Sequence, residues 1–252
     1  MKARIKFRKY GALRFIGHLD VMRFFQKVMR RADIPIAFTG GYSPHMIMSF
    51  ASPLGIGLTS DGEYFDIELR ESIPSDEAVR RMNDACVEGI EVLSFRQISD
   101  EKKMTGMTIL AGADYLVSPK AGVSFLTDWK EQFTEFMAQR EIRVIRQTKK
   151  SEREVDILPM IYQWECRGDS LFFQLAAGSS ENLKPDLVMD AFLDYADLKA
   201  DLSSGAFSYH RLEMYANADK NGGRSLVTLE SLGTEILMKN ADVSQTQTSS
   251  AE

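Results

Sequence analysis

The stretch Lys2-Ala-Arg-Ile-Lys-Phe-Arg8, followed by Arg14-Phe-Ile-Gly-His-Leu-Asp-Val-Met-Arg23, decides how the chain is read. Its first seven residues alternate strictly. Ala3, Ile5 and Phe7 fall on one side, and Lys2, Arg4, Lys6 and Arg8 on the other, which predicts a strand with one core face and one basic face. The periodicity then switches. Val21, Met22, Phe25, Val28, Met29 and Ala32 recur at helical spacing from about His18, and Arg23, Lys27 and Arg30 share the opposite face. Asp20 in the first turn and Arg30-Arg31 in the last suit the helix dipole.

Working outward, Ile34 to Phe38 reads as a strand, broken by Gly40-Gly41 and by the turn Ser43-Pro44. His45 to Phe50 reads as extended. Tyr64 to Leu69 alternates, with Phe65, Ile67 and Leu69 inward and Asp66 and Glu68 outward. Ser75 is placed to cap a helix carrying Ala78, Val79, Met82, Ala85 and Cys86 on one stripe, and Ile90 to Phe95 closes as a strand. The order β-α-β-β-α-β is that of a ferredoxin-like unit. Residues 99–112 read as a linker, after which the order recurs. It runs through a strand at Tyr115 to Val117, a helix marked by Trp129, Phe133, Phe136 and Met137, and strands at Ile142 to Arg146 and Val155 to Tyr162. Leu171 to Leu175 alternates, Pro185 opens a helix, and Tyr209 to Tyr215 is the last strand. The expected fold class is therefore α+β, two ferredoxin-like units in tandem with one extra strand. The units cover residues 1–98 and 113–216, with a C-terminal extension over 217–252 whose end, from Ser244, has the composition of a disordered tail.

The chain has 252 residues, is 44% hydrophobic and 27% charged, and carries a net charge of −5. Residues 1–31 hold ten basic side chains against Asp20 alone, so that segment carries +9 and the remainder −14. A local basic block on an acidic protein is a footprint for an anionic partner, or a face neutralised by acids elsewhere in the fold. No apolar run approaches the ~20 residues that span a bilayer, and the N-terminus lacks the apolar core of a signal peptide. Cys86 and Cys166 are far apart, which argues against a disulfide framework or an iron–sulfur site and for a reduced, cytoplasmic protein.

The candidate anion-binding residues are Lys2, Arg4, Lys6, Arg8, Arg14, Arg23, Lys27 and Arg30. The loop Gly40-Gly41-Tyr42-Ser43-Pro44-His45 is a second candidate, because its glycines permit backbone amides to approach an anion. His18, Asp20 and His45 are the candidates for proton transfer, histidine being the side chain that titrates near neutrality. His18 and Asp20 serve equally well as helix-start residues, and the loop as a tight turn. A metal site from His18 and His45 would need ligands that the sequence does not single out, and no nucleotide fingerprint is present. No metal or cofactor is assigned. His210 reads as structural, and Lys149-Lys150 with Arg153 as a basic hairpin tip.

At Arg14–Arg23, at Arg30-Arg-Ala-Asp-Ile-Pro35 and at Gly41-Tyr-Ser-Pro-His45, the chain resembles a radical-SAM-linked family of unknown function. The resemblance continues through Ser49-Phe-Ala-Ser-Pro-Leu-Gly-Ile-Gly57 and Gly62-Glu-Tyr-Phe-Asp-Ile-Glu-Leu69, and more loosely to about residue 215, including Val155-Asp-Ile-Leu-Pro159. It departs from the family at Gly17, where members often carry serine, and at Tyr42-Ser43, where they often carry Phe-Asn. Members are fused to, or encoded beside, a radical SAM protein with a cobalamin-binding domain, so the resemblance implies that partner. The family's gene neighbours, ribonucleases and ribosomal proteins, favour RNA as the anion. No activity is established for the family, so the resemblance supplies a partner rather than a reaction, and the first reading is a non-catalytic accessory that binds RNA or presents a substrate to that partner. Two alternatives stand beside it. One is a metal-independent RNA endonuclease with His18 as acid or base and Arg14 and Arg23 on the phosphate, by architectural similarity to CRISPR repeat-processing enzymes. The other is a protein–protein scaffold that touches no nucleic acid.

Overall fold

The computed structural model describes residues 1–123, 128–147, 152–198, 202–219 and 221–238. The first strand, β1 (Lys2–Lys9), buries Ala3, Ile5 and Phe7 as their alternation requires. The helix α1 (His18–Arg31) follows and buries Val21, Phe25, Val28 and Met29. Next come β2 (Met48–Phe50), β3 (Thr59–Glu68), α2 (Ser75–Ala85) and β4 (Ile90–Ile98). β1 lies between β4 and β3, antiparallel to both, and β2 pairs with β3. Ile5 stands opposite Phe65 on one side and Phe95 on the other. Phe7, Phe25, Phe50 and Phe65 interlock above this register, with Phe25 and Phe65 4.6 Å apart between ring centroids.

Two local expectations change here. Ile34 to Phe38 is not a strand. It makes only isolated bridges, Ile36 to Leu69 and Phe38 to Met46. Pro35 lacks the N–H a ladder needs, and Asp33, at φ 50°, turns the chain sharply off α1. Ser75 does not cap α2. It is the helix's first residue, and its hydroxyl accepts a hydrogen bond from the Ile236 amide at 2.8 Å.

Residues 99–112 are structured rather than a bare linker. A short turn of helix at Lys102–Met104 leads into α3 (Gly106–Ile109), and β5 (Leu110–Pro119) begins at once. The chain continues through α4 (Trp129–Met137), β6 (Arg143–Gln147), β7 (Glu152–Asp156), β8 (Ile161–Arg167), β9 (Ser170–Ala176), α5 (Pro185–Tyr195), β10 (Phe207–Asn217) and β11 (Leu226–Thr228). β6 and β7 form a separate hairpin. The single strand expected from Val155 to Tyr162 is interrupted by a turn at Leu158–Met160, where Pro159 removes a donor. Lys149 and Lys150 lie outside the described residues, as does the tail from Ser244, and Arg153 stands exposed on β7.

β10, β5, β9 and β8 are neighbours in that order, all antiparallel, and cover a second core built on Trp129, Phe133, Phe136, Phe173 and Phe192. β10 also pairs in parallel with β3 through His210–Thr59 and Arg211–Ser60. That short joint fuses both halves into one nine-stranded mixed sheet. The architecture is α+β, one large mixed sheet carrying a few helices. After β11 the chain returns to the first half. Thr234 bridges Gln97, and Ile236 enters the core beneath α1 and α2.

Candidate functional site

The alternation that gives β1 a basic side does not leave that side in water. Arg4 is only 2% exposed. Its Nε and Nη2 donate to the two carboxylate oxygens of Asp66 at 2.8 and 3.0 Å, and the remaining donors reach the Leu229 and Met104 carbonyls. Asp66, expected outward, is therefore buried, and it also accepts the Gly106 amide at 2.7 Å. Lys6 Nζ lies 2.7 Å from Glu213 and 3.4 Å from Glu230. Burial works against its charge, but those carboxylates outweigh it and hold its pKa above the ordinary value. Arg8 pairs with Asp61 and Glu91. The segments 102–109 and 229–236 cover Arg4 and Lys6, which answer internal carboxylates, whereas the side chains of Arg8 and its two partners stay exposed and half-buried Lys2 has no ion pair among the described residues.

The cations of α1 and of the segment just before it are placed differently. Arg14, Arg23, Lys27, Arg30 and Arg31 are all exposed. Among the described residues only Arg23 has an ion pair, with Asp20 at 3.4 Å. Arg14 sits over the Phe15 ring, 4.7 Å from its centroid. Phe15, Leu19 and Ile56 are exposed by 62, 59 and 67%, an apolar group at the head of the same helix. Neither His18 nor Asp20 caps α1. Gly17 is its N-cap, and no side chain bonds there.

His18 packs edge-on against Phe50 with centroids 5.0 Å apart, and its burial lowers its pKa. It lines a cavity of about 10 Å³ with Lys9, Glu63, Pro53 and Leu54, room for about one water. His45 lies on the surface. Its Nδ1 is 3.1 Å from Thr39 Oγ1, its amide donates to that same oxygen, and Thr39 N donates to His45 O. These bonds close Gly40–Pro44 as a tight turn, with Tyr42 fully exposed. No contact or cavity among the described residues unites His18 with His45, and no three metal-ligating side chains converge. His210 is at the joint, between Thr59 Oγ1 at 2.7 Å and Asp61 Oδ2 at 3.0 Å.

Sequence reasoning missed a buried charge cluster beside His18. Glu63 accepts from Arg211 Nη1 at 2.9 Å, and Lys9 Nζ donates to Ile16 O at 3.3 Å. Burial pushes the Glu63 carboxyl up, although Arg211, Ser60 and Lys9 oppose it. Burial also pulls the Lys9 ammonium down, with Glu63 opposing and Arg211 assisting. The signal was available in the alternation. Lys9 continues the inward row Ala3, Ile5, Phe7, and Glu63 precedes Phe65, Ile67 and Leu69 on theirs.

Arg211 also lines the main cleft of the joint, about 520 Å³. The loop Ser52–Leu58 forms one wall, and the start of α5 and the end of β5 form the other. Pro53 and Leu54 separate this cleft from the His18 cavity, since they line both. Gly57, at φ 88°, donates to Arg14 O at 2.8 Å and so pins the loop to the segment before α1. The motifs at Arg14–Arg23 and Ser49–Gly57 thus meet at one place. A groove of about 570 Å³ between α2, β4 and residues 235–238 is less informative, because Arg96 there is already paired with Glu230 and Glu235.

Fold and site together define a mixed α+β protein with a charged cleft where two half-sheets join. Residues 2–185 match the family described as an uncharacterized protein conserved in bacteria (DUF2344), and the chain belongs to it. The match includes β1, α1 and the loop Ser52–Leu58 but ends before β10, so Arg211 lies beyond it. No curated protein matches the chain. Among the described residues no helix is long and apolar enough to cross a membrane.

Proposed function

We propose that this protein is a non-catalytic, cytoplasmic accessory that holds single-stranded RNA for a radical SAM enzyme with a cobalamin-binding domain. The observation that carries the reading is the contrast between two sets of cations. Arg4 and Lys6 of β1 are consumed by internal carboxylates, whereas Arg14, Lys27, Arg30 and Arg31 remain exposed with no ion pair among the described residues. Phe15 under Arg14 adds a surface on which a base can stack, the combination that single-strand binders use. The orders β4-β1-β3-β2 and β10-β5-β9-β8 support reading residues 1–98 and 113–216 as two ferredoxin-like units, the second with the β6–β7 hairpin inserted. Such sheets often present RNA. The radical SAM partner rests on the sequence resemblance.

His18 is a poor general acid or base in this geometry. It has no orienting hydrogen bond among the described residues, and its cavity is too small for a nucleotide. The test is incubation of the purified protein with labelled RNA in EDTA, together with copurification from cells. The account expects bound, uncut RNA and a recovered radical SAM protein. RNA cutting that His18→Ala abolishes would overturn it, as would failure to bind RNA at low salt.

A further inference from the structure

We propose that the joint cleft binds the phosphate monoester of a mononucleotide-sized ligand, on Arg211 and Tyr115. This goes beyond the RNA surface on α1 and does not depend on it. Arg211 is 5% exposed, and its five N–H groups can be followed one by one. Nε donates to Tyr115 Oη at 3.2 Å. Nη1 donates to Glu63 at 2.9 Å and to the Ser52 carbonyl at 3.3 Å, with Met214 Sδ also near at 3.7 Å. Nη2 has no acceptor among the described residues, and it is not among the sealed-in polar atoms that lack partners. Its donors are thus left over from the internal network, and the residue lines the cleft.

Tyr115 lines the same cleft, and its hydroxyl, already accepting from Arg211, has its own hydrogen left with no acceptor among the described residues. A guanidinium edge fixed by Glu63 and a hydroxyl fixed by that guanidinium make a preorganised pair of donors for an oxyanion. The surrounding charges favour a dianion. Lys120 and Lys184 stand exposed at the rim with Asp186. Adding buried Lys9, Arg211 and Glu63, the four cations exceed the two carboxylates by 2. The first turn of α5 opens here with Pro185, which has no N–H. The Leu187 amide is shared between Lys184 O at 3.2 Å and Asp186 Oδ1 at 3.0 Å.

Leu54, Ile56, Leu58 and Phe207 give the cleft apolar wall, and 520 Å³ is the size of a small-ligand pocket. Those walls suit the organic body of a phosphate ester better than a free inorganic ion.

The test is calorimetric titration of the intact protein with adenosine 5′-monophosphate, and with succinate as a carboxylate dianion. Saturable nucleotide binding is expected. Arg211→Lys keeps a cation beside Glu63 but removes the free fork, and should weaken binding roughly tenfold or more. Lys120→Glu/Lys184→Glu, at exposed positions, should weaken it with the circular dichroism spectrum unchanged. Arg80→Glu on α2 should leave it unaltered. No saturable binding at millimolar nucleotide would overturn the proposal. So would binding indifferent to both cleft variants, loss in Arg80→Glu equal to theirs, or a preference for succinate.

Discussion

Replacing Arg4 with alanine removes a side chain that ties three distant segments together. Its guanidinium makes both arms of the Asp66 pair and holds the Met104 and Leu229 carbonyls, at 2.8 to 3.0 Å. Without it, Asp66 keeps only the Gly106 amide among the described residues while remaining buried. Breaking a buried pair from one side costs about 3–5 kcal/mol, because the surviving charge is left uncompensated. An exposed pair costs about 0–1 kcal/mol. The loss expected for Arg4→Ala is therefore a large part of a stability of about 5–15 kcal/mol. Equilibrium urea unfolding, followed by circular dichroism, measures it. The double variant Arg4→Met/Asp66→Leu fills the space without charge and should recover much of the loss, so the two sites should couple by roughly 1–3 kcal/mol. A loss below about 1 kcal/mol in Arg4→Ala would refute the reasoning. The basic side of β1 would then be solvated and open to a polyanion after all.

Three further outcomes follow from the geometry. Burial lowers the His18 pKa below 6.5, so the neutral ring suits the fold. That contribution to stability is full above the unfolded value and is lost as pH falls through the folded one. Urea midpoints from about pH 7.5 to pH 5 should therefore fall more in the wild type than in His18→Leu, and parallel curves would contradict this. A Cβ at Gly62 would meet Glu213 Cα and Leu212 O, both at 2.7 Å. Gly62→Ala should therefore open the β3–β10 joint at a cost of about 1–3 kcal/mol, with faster amide exchange at Arg211, and unchanged exchange would refute it. Ile236 is buried in the first core, so Ile236→Ala should cost about 2–5 kcal/mol. A thermal midpoint equal to the wild type's would show that the returning segment adds nothing.

β1, α1 and α2 were legible because each buries one face, and burial writes its period into the sequence. Ala3, Ile5 and Phe7 are a strand's inner row, and Val21, Phe25 and Val28 a helix's inner stripe. What covers the other face of β1 was not legible. The acceptors of Arg4 are Asp66, Met104 and Leu229, up to 225 positions away, and a basic row reads the same whether water or a carboxylate faces it. The β3–β10 joint rests on two residue pairs, too few to leave a pattern. The ring of His45 lies against Thr39 rather than near His18, a placement that no residue pattern marks. Arg211 continues the inward row Phe207 and Tyr209 of β10, and a charge in such a row does not say whether it lies on a surface or inside a core.

The most direct test of the accessory reading is single-stranded RNA affinity as a function of salt. If the five exposed cations Arg14, Arg23, Lys27, Arg30 and Arg31 each meet a phosphate, the log–log slope should be about −3.5, at about −0.7 per contact. Lys27→Glu/Arg30→Glu removes two of those contacts and should bring the slope to about −2, with weaker binding throughout. Affinity that the variant leaves unchanged, or that persists undiminished in ~0.5 M salt, would contradict the account.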